Sequence, residues 1–435
     1  METPAFLDLA AARKIREEHA TPVFVYSEEV LKKRARAALA FPNPFGLTVR
    51  YAMKACPNAA VLKLFHGLGV CFDCSSGHEV ERALLAGIPA ENLSLSTQDL
   101  PMPGQNFTKL IENGVKFNAC SLHQLDTFGS LFPGSSCGLR FNPGKGSGGN
   151  NKTNVGGPSS SFGIWHELRG KVKEIVERHS LTITRIHTHI GSGSDPKIWQ
   201  AVTSMSLALV DAFPNVTTIN LGGGFKVGRM KDEVSTDLQA VGKPVKEALE
   251  EFARKIDNRQ LHLEIEPGTF LLANSGVLLS TVQDMTTTES TDTSTGTSSG
   301  HQFLKLDCGM TEVLRPSLYG SQHPIISVVE QPYTGDMDDY IVVGHCCESG
   351  DLFSCKPGNS DELQSRRLAK TSIGDMVVIE GSGAYCSSMC TKNYNSFPEA
   401  PEVILSESGR VQLMRRRQTL QQIVCNEVDV ELNLN

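Results

Sequence analysis

The sequence predicts a (β/α)8 barrel followed by an all-β region. Between Val49 and Glu266, short apolar strand patterns alternate with helix-sized segments eight times. Repeated βα units imply a parallel sheet, and eight of them in about 240 residues match the usual length of a closed barrel. An open doubly wound sheet is the alternative, but it would carry a Gly-rich fingerprint after its first strand. That turn here reads Lys54-Ala55-Cys56-Pro57.

The elements follow in order. Thr21–Ser27 reads as an early strand, and Ser27-Glu28-Glu29 caps a helix through Leu31 to Ala40. In Val49–Lys54, Val49, Tyr51 and Met53 alternate with Arg50, Ala52 and Lys54. The next strands are expected over Val70–Ser75, Asn92–Thr97, Val115–Ala119, Cys137–Asn142, Ile183–His189, Thr217–Leu221 and Leu261–Glu266. Helical patterns lie between them over Asn58–Leu68, His78–Ala86, Pro101–Glu112, Leu122–Leu131, His166–His179, Trp199–Phe213 and Val234–Ile256. Beyond Glu266 the texture is β-rich, with strands over Gly276–Met285, Phe303–Asp307, Ile325–Glu330, Tyr340–Val343 and Met376–Ile379. The polar run Thr286–Gly300 reads as a mobile hairpin loop. The expected organisation is a barrel over residues 33–280 and a β-domain built from 1–32 and 281–435, with the early strand joining the latter.

Composition narrows the function. The chain has 435 residues, a formal net charge of -7 and no long basic run, which disfavours nucleic acid and anionic membranes as partners. No apolar stretch reaches membrane-spanning length. Met1–Ala20 lacks an apolar signal core, and its acids argue against a transit peptide. Twelve cysteines in a chain this long are not a disulfide framework. Cys71 and Cys74 have no second pair at zinc-site spacing, so a reducing, cytoplasmic compartment and no metal are expected.

Barrel active sites form at the C-terminal ends of the strands. The first strand ends at Lys54, a carbonyl nucleophile if its amine is partly desolvated. The second runs through Asp73. The sixth ends His187-Thr188-His189-Ile190-Gly191-Ser192-Gly193, the seventh Gly222-Gly223-Gly224-Phe225, and the eighth Glu266-Pro267-Gly268-Thr269. Three glycines let backbone amides converge on a phosphate. No Lys-Ser/Thr follows them, so a nucleotide P-loop is not supported. Each feature alone also fits something ordinary: a solvated lysine, a flexible turn, a packed histidine. Together a lysine, a phosphate cradle and an acid match pyridoxal 5'-phosphate, which needs a Schiff-base lysine, a phosphate site and an acidic partner for its ring nitrogen. Glu266 suits that partner, and His189 the ring face.

These motifs resemble the fold-type III pyridoxal phosphate-dependent decarboxylases. Tyr51-Ala52-Met53-Lys54-Ala55, His189–Gly193, Gly222–Phe225 and Glu266-Pro267-Gly268 carry the likeness. So do Arg140-Phe141-Asn142-Pro143 with Phe162-Gly163, Arg315–Tyr319 with His323-Pro324-Ile325, Cys347-Glu348-Ser349-Gly350-Asp351, and Gly383-Ala384-Tyr385 with Asn393-Tyr394-Asn395. The C-terminal motifs are most similar to the branch that converts meso-2,6-diaminopimelate to L-lysine. The resemblance implies a homodimer whose active sites lie between the barrel of one subunit and the β-domain of the other. It implies that Lys54 carries the cofactor, that Asp73, His189, Ser192, Gly222–Gly224, Glu266, Gly268 and Tyr385 hold it, and that Arg315 and Tyr319 take a substrate carboxylate. Cys347, as proton donor, and Glu348, as reader of the distal amine, are implied to come from the partner subunit.

Two departures from the family stand out. Thr269 replaces the arginine usual after Glu-Pro-Gly, and His345-Cys346 replace a proline and an apolar residue. A threonine at 269 leaves open a second substrate class, another basic amino acid such as ornithine, lysine or carboxynorspermidine. A non-catalytic regulator of this fold would be expected to lose the lysine, the glycines or the cysteine, and this chain keeps all of them. Racemase activity on the same barrel fits the C-terminal motifs less well.

Overall fold

The computed structural model describes residues 4–100, 106–145, 156–189, 191, 193–288, 290–291, 298–328 and 335–432. It divides into two units, Glu29–Ala273 and Met1–Glu28 with Asn274–Asn435.

The first unit contains eight parallel strands: Leu47–Ala52 (β1), Cys71–Cys74 (β2), Leu93–Leu95 (β3), Lys116–Ala119 (β4), Ser136–Asn142 (β5), Thr182–Thr188 (β6), Thr218–Asn220 (β7) and His262–Ile265 (β8). Each pairs with the next in sequence, and β8 returns to β1 through Leu263↔Leu47. The barrel is therefore closed, as expected. Helices follow the strands, and side-chain caps start them: Asn58, Ser76, Ser121, Asp195 and Asp237 each accept an amide from the first turn. Such caps satisfy amides that a helix start would otherwise leave unpaired. Between barrel and helices Tyr51 meets Phe65 edge-on at 4.9 Å, and Phe107, Phe117 and Phe128 form a second aromatic cluster.

Two expectations change at the boundaries. β1 ends at Ala52 rather than Lys54, and Met53–Ala55 form a single 3-10 turn. The Cys56 amide closes onto the Met53 carbonyl at 3.1 Å, and Pro57 has no amide to extend a ladder. Lys54 therefore sits on the turn beyond the strand. Of the helix expected over Pro101–Glu112, Phe107–Glu112 is helical, and 101–105 lie outside the described residues.

In the second unit Val23–Ser27 lies inside the sheet. It pairs antiparallel with Gly276–Thr287 (Val23↔Leu279) and parallel with Glu402–Leu405 (Phe24↔Glu402). Leu7, Ala12 and Ile15, on or beside the helix Leu9–His19, pack in one core with Val23, Val25, Val277, Leu279, Val378 and Val403. That helix and the strands Glu402–Leu405 and Val411–Arg415 were not anticipated from the sequence. In the Thr286–Gly300 insert, Ser290–Thr291 pairs with Ser298–Ser299 as a hairpin, while 289 and 292–297 lie outside the described residues.

The interior of the barrel is charged. The polar positions of β1 point into it, and the apolar ones face the helices. Arg50, fully buried, donates from Nη2 to Glu264 Oε1 at 2.7 Å. Arg185 Nε lies 3.1 Å from Glu264 Oε2. The same guanidinium reaches Asn118 Oδ1 and Ser94 Oγ at 3.4 Å. Burial alone would raise the Glu264 carboxyl, but Arg50 and Arg185 outweigh it and hold it down to about 2. A carboxyl held low in the folded state adds stability above its unfolded value, and that stability is lost as pH falls through the folded value. For Glu264 the window runs from about pH 4.5 to about pH 2 and carries on the order of 3 kcal/mol. Glu264→Gln should lower stability near neutral pH by about 3–5 kcal/mol, because it leaves two buried arginines uncompensated. It should also flatten the acid limb of a plot of urea midpoint against pH. Parallel curves for the two proteins would mean that Glu264 is not paired in this way.

Candidate active site

Lys54, Asp73, His189, Gly222–Gly224, Glu266, Gly268 and Thr269 all lie at or just beyond the C-terminal ends of β1, β2, β6, β7 and β8. Ser192, expected among them, lies outside the described residues. The Lys54 ammonium donates to Ser75 Oγ at 3.3 Å, just beyond β2. The Ser75 amide is held in turn by Glu79 Oε2 at 2.6 Å. Burial raises the Glu79 carboxyl.

The two buried carboxyls respond in opposite senses. At Asp73, burial and the neighbouring Glu266 push the carboxyl well up, and its Oδ1 has no hydrogen-bond partner among the described residues. At Glu266, burial is outweighed by His187, 3.3 Å from Oε2, and the carboxyl is held far below the usual range. The site thus holds one carboxyl favoured neutral and one firmly anionic, a separation of roles that environment alone can set. His189 is kept neutral by burial and by the charge of Arg140, and a neutral imidazole can lie against an aromatic face.

The glycine turn is tightly built. Gly222 and Gly224 have φ of +70° and +94°. A Cβ at Gly222 would stand 2.7 Å from His189 Nδ1, and one at Gly223 would stand 2.1 Å from the Glu266 carbonyl oxygen. The amides of Gly223 and Gly224 make no hydrogen bond among the described residues, whereas the Gly224 carbonyl accepts from Gly193 at 2.9 Å. Trp199 stacks on Phe225 at 4.5 Å and donates to the Gly193 carbonyl, which fixes the outer side of the turn.

Sequence reasoning did not assign roles to Asn220, His187 or Arg140. Asn220 Nδ2 donates to Glu266 Oε1 at 2.7 Å, and its Oδ1 accepts from the Gly222 amide at 2.8 Å. Arg140, also buried, lies over the Phe162 ring at 5.2 Å. The period of two along β5 and β6 was the available signal, since Arg140, Arg185 and His187 fall on inward positions.

The remaining candidates lie in the sheet unit. The helix Arg315–Tyr319 is tied to the loop Cys347–Gly350 by Ser317 Oγ, which donates to the Gly350 carbonyl at 2.7 Å. The Arg315 guanidinium lies over the Tyr319 ring at 5.8 Å, and its buried Nε has no partner among the described residues. Cys347 is exposed, and its amide donates to Asn395 Oδ1 at 2.9 Å. Glu348 is exposed and accepts from the Gly350 amide at 3.2 Å. Asp351 anchors the loop from below by accepting the Met310 and Cys346 amides at 2.7 and 2.8 Å. His345 stacks on Phe397 at 3.6 Å and bonds Thr311, and burial lowers it to about 4. An aromatic stack thus anchors the loop at His345. Tyr385 takes a left-handed backbone, φ +56°.

A lysine on a strand-end turn, a glycine cradle and a buried anion inside a parallel barrel define a cofactor-dependent enzyme. The chain belongs to the pyridoxal-dependent decarboxylases, whose pyridoxal-binding domain its residues 27–273 match, and pyridoxal 5'-phosphate is its cofactor. Over nearly its whole length it is similar to diaminopimelate decarboxylases. It is 33% identical to that of Escherichia coli (strain K12) over 430 residues, 97% of each chain. It is 33% identical to that of Streptomyces coelicolor, covering 98% of this chain and 93% of the relative. A crystal structure of a diaminopimelate decarboxylase superposes with a TM-score of 0.86 at 32% identity, covering 97% of this chain and 98% of that one. Among the described residues no helix is long and apolar enough to cross a membrane.

The residues present fit the cofactor. The two unpartnered glycine amides suit a phosphate, and the buried anion suits a protonated ring nitrogen. There is no space at residue 223 for a side chain. Gly223→Ala should force the β7 and β8 ends apart and destabilise the protein by about 1–3 kcal/mol, with weaker cofactor retention on gel filtration. Unchanged melting and retention would show that the turn has more room than these distances allow.

Proposed function

We propose that this enzyme removes carbon dioxide from meso-2,6-diaminopimelate to give L-lysine, the last step of lysine biosynthesis. One observation carries the chemistry: at one end of one barrel converge a lysine amine, two unpartnered glycine amides and a buried anionic carboxylate. The substrate rests on the relatives named diaminopimelate decarboxylase that match nearly the whole chain.

Lys54 would hold the cofactor through its amine, with Gly222–Gly224, Ser192 and Gly268 at the phosphate and Asp73 and Tyr385 beside the ring. When bound, pyridoxal phosphate supplies an electron sink for the pair left behind as carbon dioxide departs. Glu266 would keep a proton on the ring nitrogen, because an anion held this far below its usual range strongly favours a cationic partner. His189, held neutral, would lie against the ring face without competing for that proton. Arg315 offers a planar fork that pairs bidentately with a substrate carboxylate, with Tyr319 beside it. Thr269, just beyond β8, is a substrate-binding residue by the family resemblance and offers a neutral hydroxyl in that role.

The reading includes a homodimer with shared sites, supported by the family resemblance. The barrel is the cofactor-binding domain, and the β-domain completes the site of the other subunit. Cys347 of the partner subunit delivers a proton from Sγ to the substrate carbon, and Glu348 of the partner subunit receives the distal amine. The resemblance also supports a cytoplasmic enzyme.

The test is carbon dioxide release with added pyridoxal phosphate, comparing meso-diaminopimelate with L-ornithine, L-lysine, D-lysine and carboxynorspermidine. Turnover of meso-diaminopimelate alone, abolished in Lys54→Ala, is expected. Turnover of a monocarboxylate instead would assign Thr269 to a changed distal pocket and overturn the substrate.

A further inference from the structure

We propose that Asn220 is a positioning residue that sets both ends of the cofactor site through one carboxamide. The inference rests on the reading of Glu266 and the glycine turn given above. Asn220 is fully buried at the end of β7, paired in register with Glu264 on β8. Glu264 and Glu266 are two residues apart on adjoining backbone, so both carboxylates face the barrel interior. The Asn220 Nδ2 lies 2.7 Å from Glu266 Oε1 and 3.3 Å from Glu264 Oε2. Its Oδ1 accepts from the Gly222 amide at 2.8 Å.

Chemistry fixes the orientation of this amide. Ionised carboxylates only accept hydrogen bonds and a backbone amide only donates. A flipped carboxamide would face two acceptors with its oxygen and a donor with its nitrogen, losing all three contacts. The Glu266 amide also donates to the Gly222 carbonyl at 2.8 Å. Asn220, Gly222 and Glu266 therefore form a closed ring: Asn220 side chain to Glu266 carboxylate, Glu266 amide to Gly222 carbonyl, Gly222 amide to Asn220 side chain. Neither the acid nor the first glycine of the turn can shift without the other.

The lower carboxylate gives the ring a fixed base. Glu264 is gripped by Arg50 and Arg185, and Asn220 spans from it to Glu266. A shorter side chain such as serine cannot reach the carboxylates and the glycine amide together. An aspartate keeps an acceptor for Gly222 but loses the donor and adds a third carboxyl beside Glu264 and Glu266.

Two substitutions separate the two contacts. Asn220→Leu removes both, and Asn220→Asp, assayed at pH 8, keeps the acceptor for Gly222 while replacing the donor with a third carboxyl. The readouts are dissociation constants for pyridoxal phosphate and for pyridoxal, kcat and KM for carbon dioxide release at saturating cofactor, and melting of the cofactor-free protein. In Asn220→Leu, preference for the phosphorylated cofactor should fall by about 10-fold or more, and kcat by a similar factor. In Asn220→Asp, the preference should stay within about 3-fold while kcat falls by about 10-fold with KM little changed. A purely structural role would lower melting and leave the cofactor preference and the kcat of the loaded enzyme at wild-type values, and that result overturns the proposal. Should Asn220→Leu not fold, an unchanged kcat in Asn220→Asp overturns it alone. Glu266→Gln is measured alongside. If it loses kcat while both Asn220 variants keep it, the site reading stands and the positioning role falls. If it too keeps kcat, the reading of Glu266 falls and the proposal with it.

Discussion

Glu264 between Arg50 and Arg185 is the constraint on which the barrel depends. Parallel barrels more often fill their interior with branched apolar side chains. Here three charged groups share that space, and removing any one would strand the others in a region that water does not reach. The attraction of two guanidinium groups outweighs the burial of one carboxylate and holds it low. The reach of these side chains explains why small polar residues line the same layer. Ser94 and Asn118 take the Arg185 Nη1 that Glu264 leaves over, and Gly138 leaves space where a Cβ would stand 2.0 Å from Asn118 Oδ1.

The chemistry above this layer inherits its order from it. The positive pair below offsets one of two neighbouring carboxylates, so the other can remain anionic without an uncompensated double charge. At Asp73, burial and the neighbouring Glu266 outweigh Lys54 and Arg140, and the carboxyl is driven toward its neutral form. Of three acids at two strand ends, Glu264 and Glu266 are thus held anionic and Asp73 is driven toward neutral, a division that the sequence does not display.

Much of this was legible beforehand, and for identifiable reasons. The eight βα units and the C-terminal strands followed from apolar periodicity, which depends on local sequence alone. Lys54, Gly222–Gly224 and Glu266 stood out because their residue types at strand ends have few structural uses in combination. Val23–Ser27 was expected to join the β-domain and does so, at the interior of its sheet. Asn220 was not legible, because β7 is three residues long and an asparagine there looks like a turn residue. Arg50 read as the polar partner of an alternating strand; its burial follows only from where the barrel closes. Glu402–Leu405 and Val411–Arg415 escaped notice because neither alternates cleanly, and the place of the first in the sheet is decided by a strand at the other end of the chain.

That last pairing bears on how the protein is made. Phe24 sits beside Glu402, roughly 380 residues later, while its other neighbour, Leu278, comes about 250 residues after it. At a synthesis rate of about 5–20 residues per second, the strand Val23–Ser27 leaves the ribosome on the order of 20–80 s before its last sheet partner exists. The barrel's strands, by contrast, find neighbours within one βα unit except at the closing seam. Ordered by chain growth, the charged barrel can assemble on its own contacts during translation. The sheet is completed only at the end, with an apolar strand exposed in the interval.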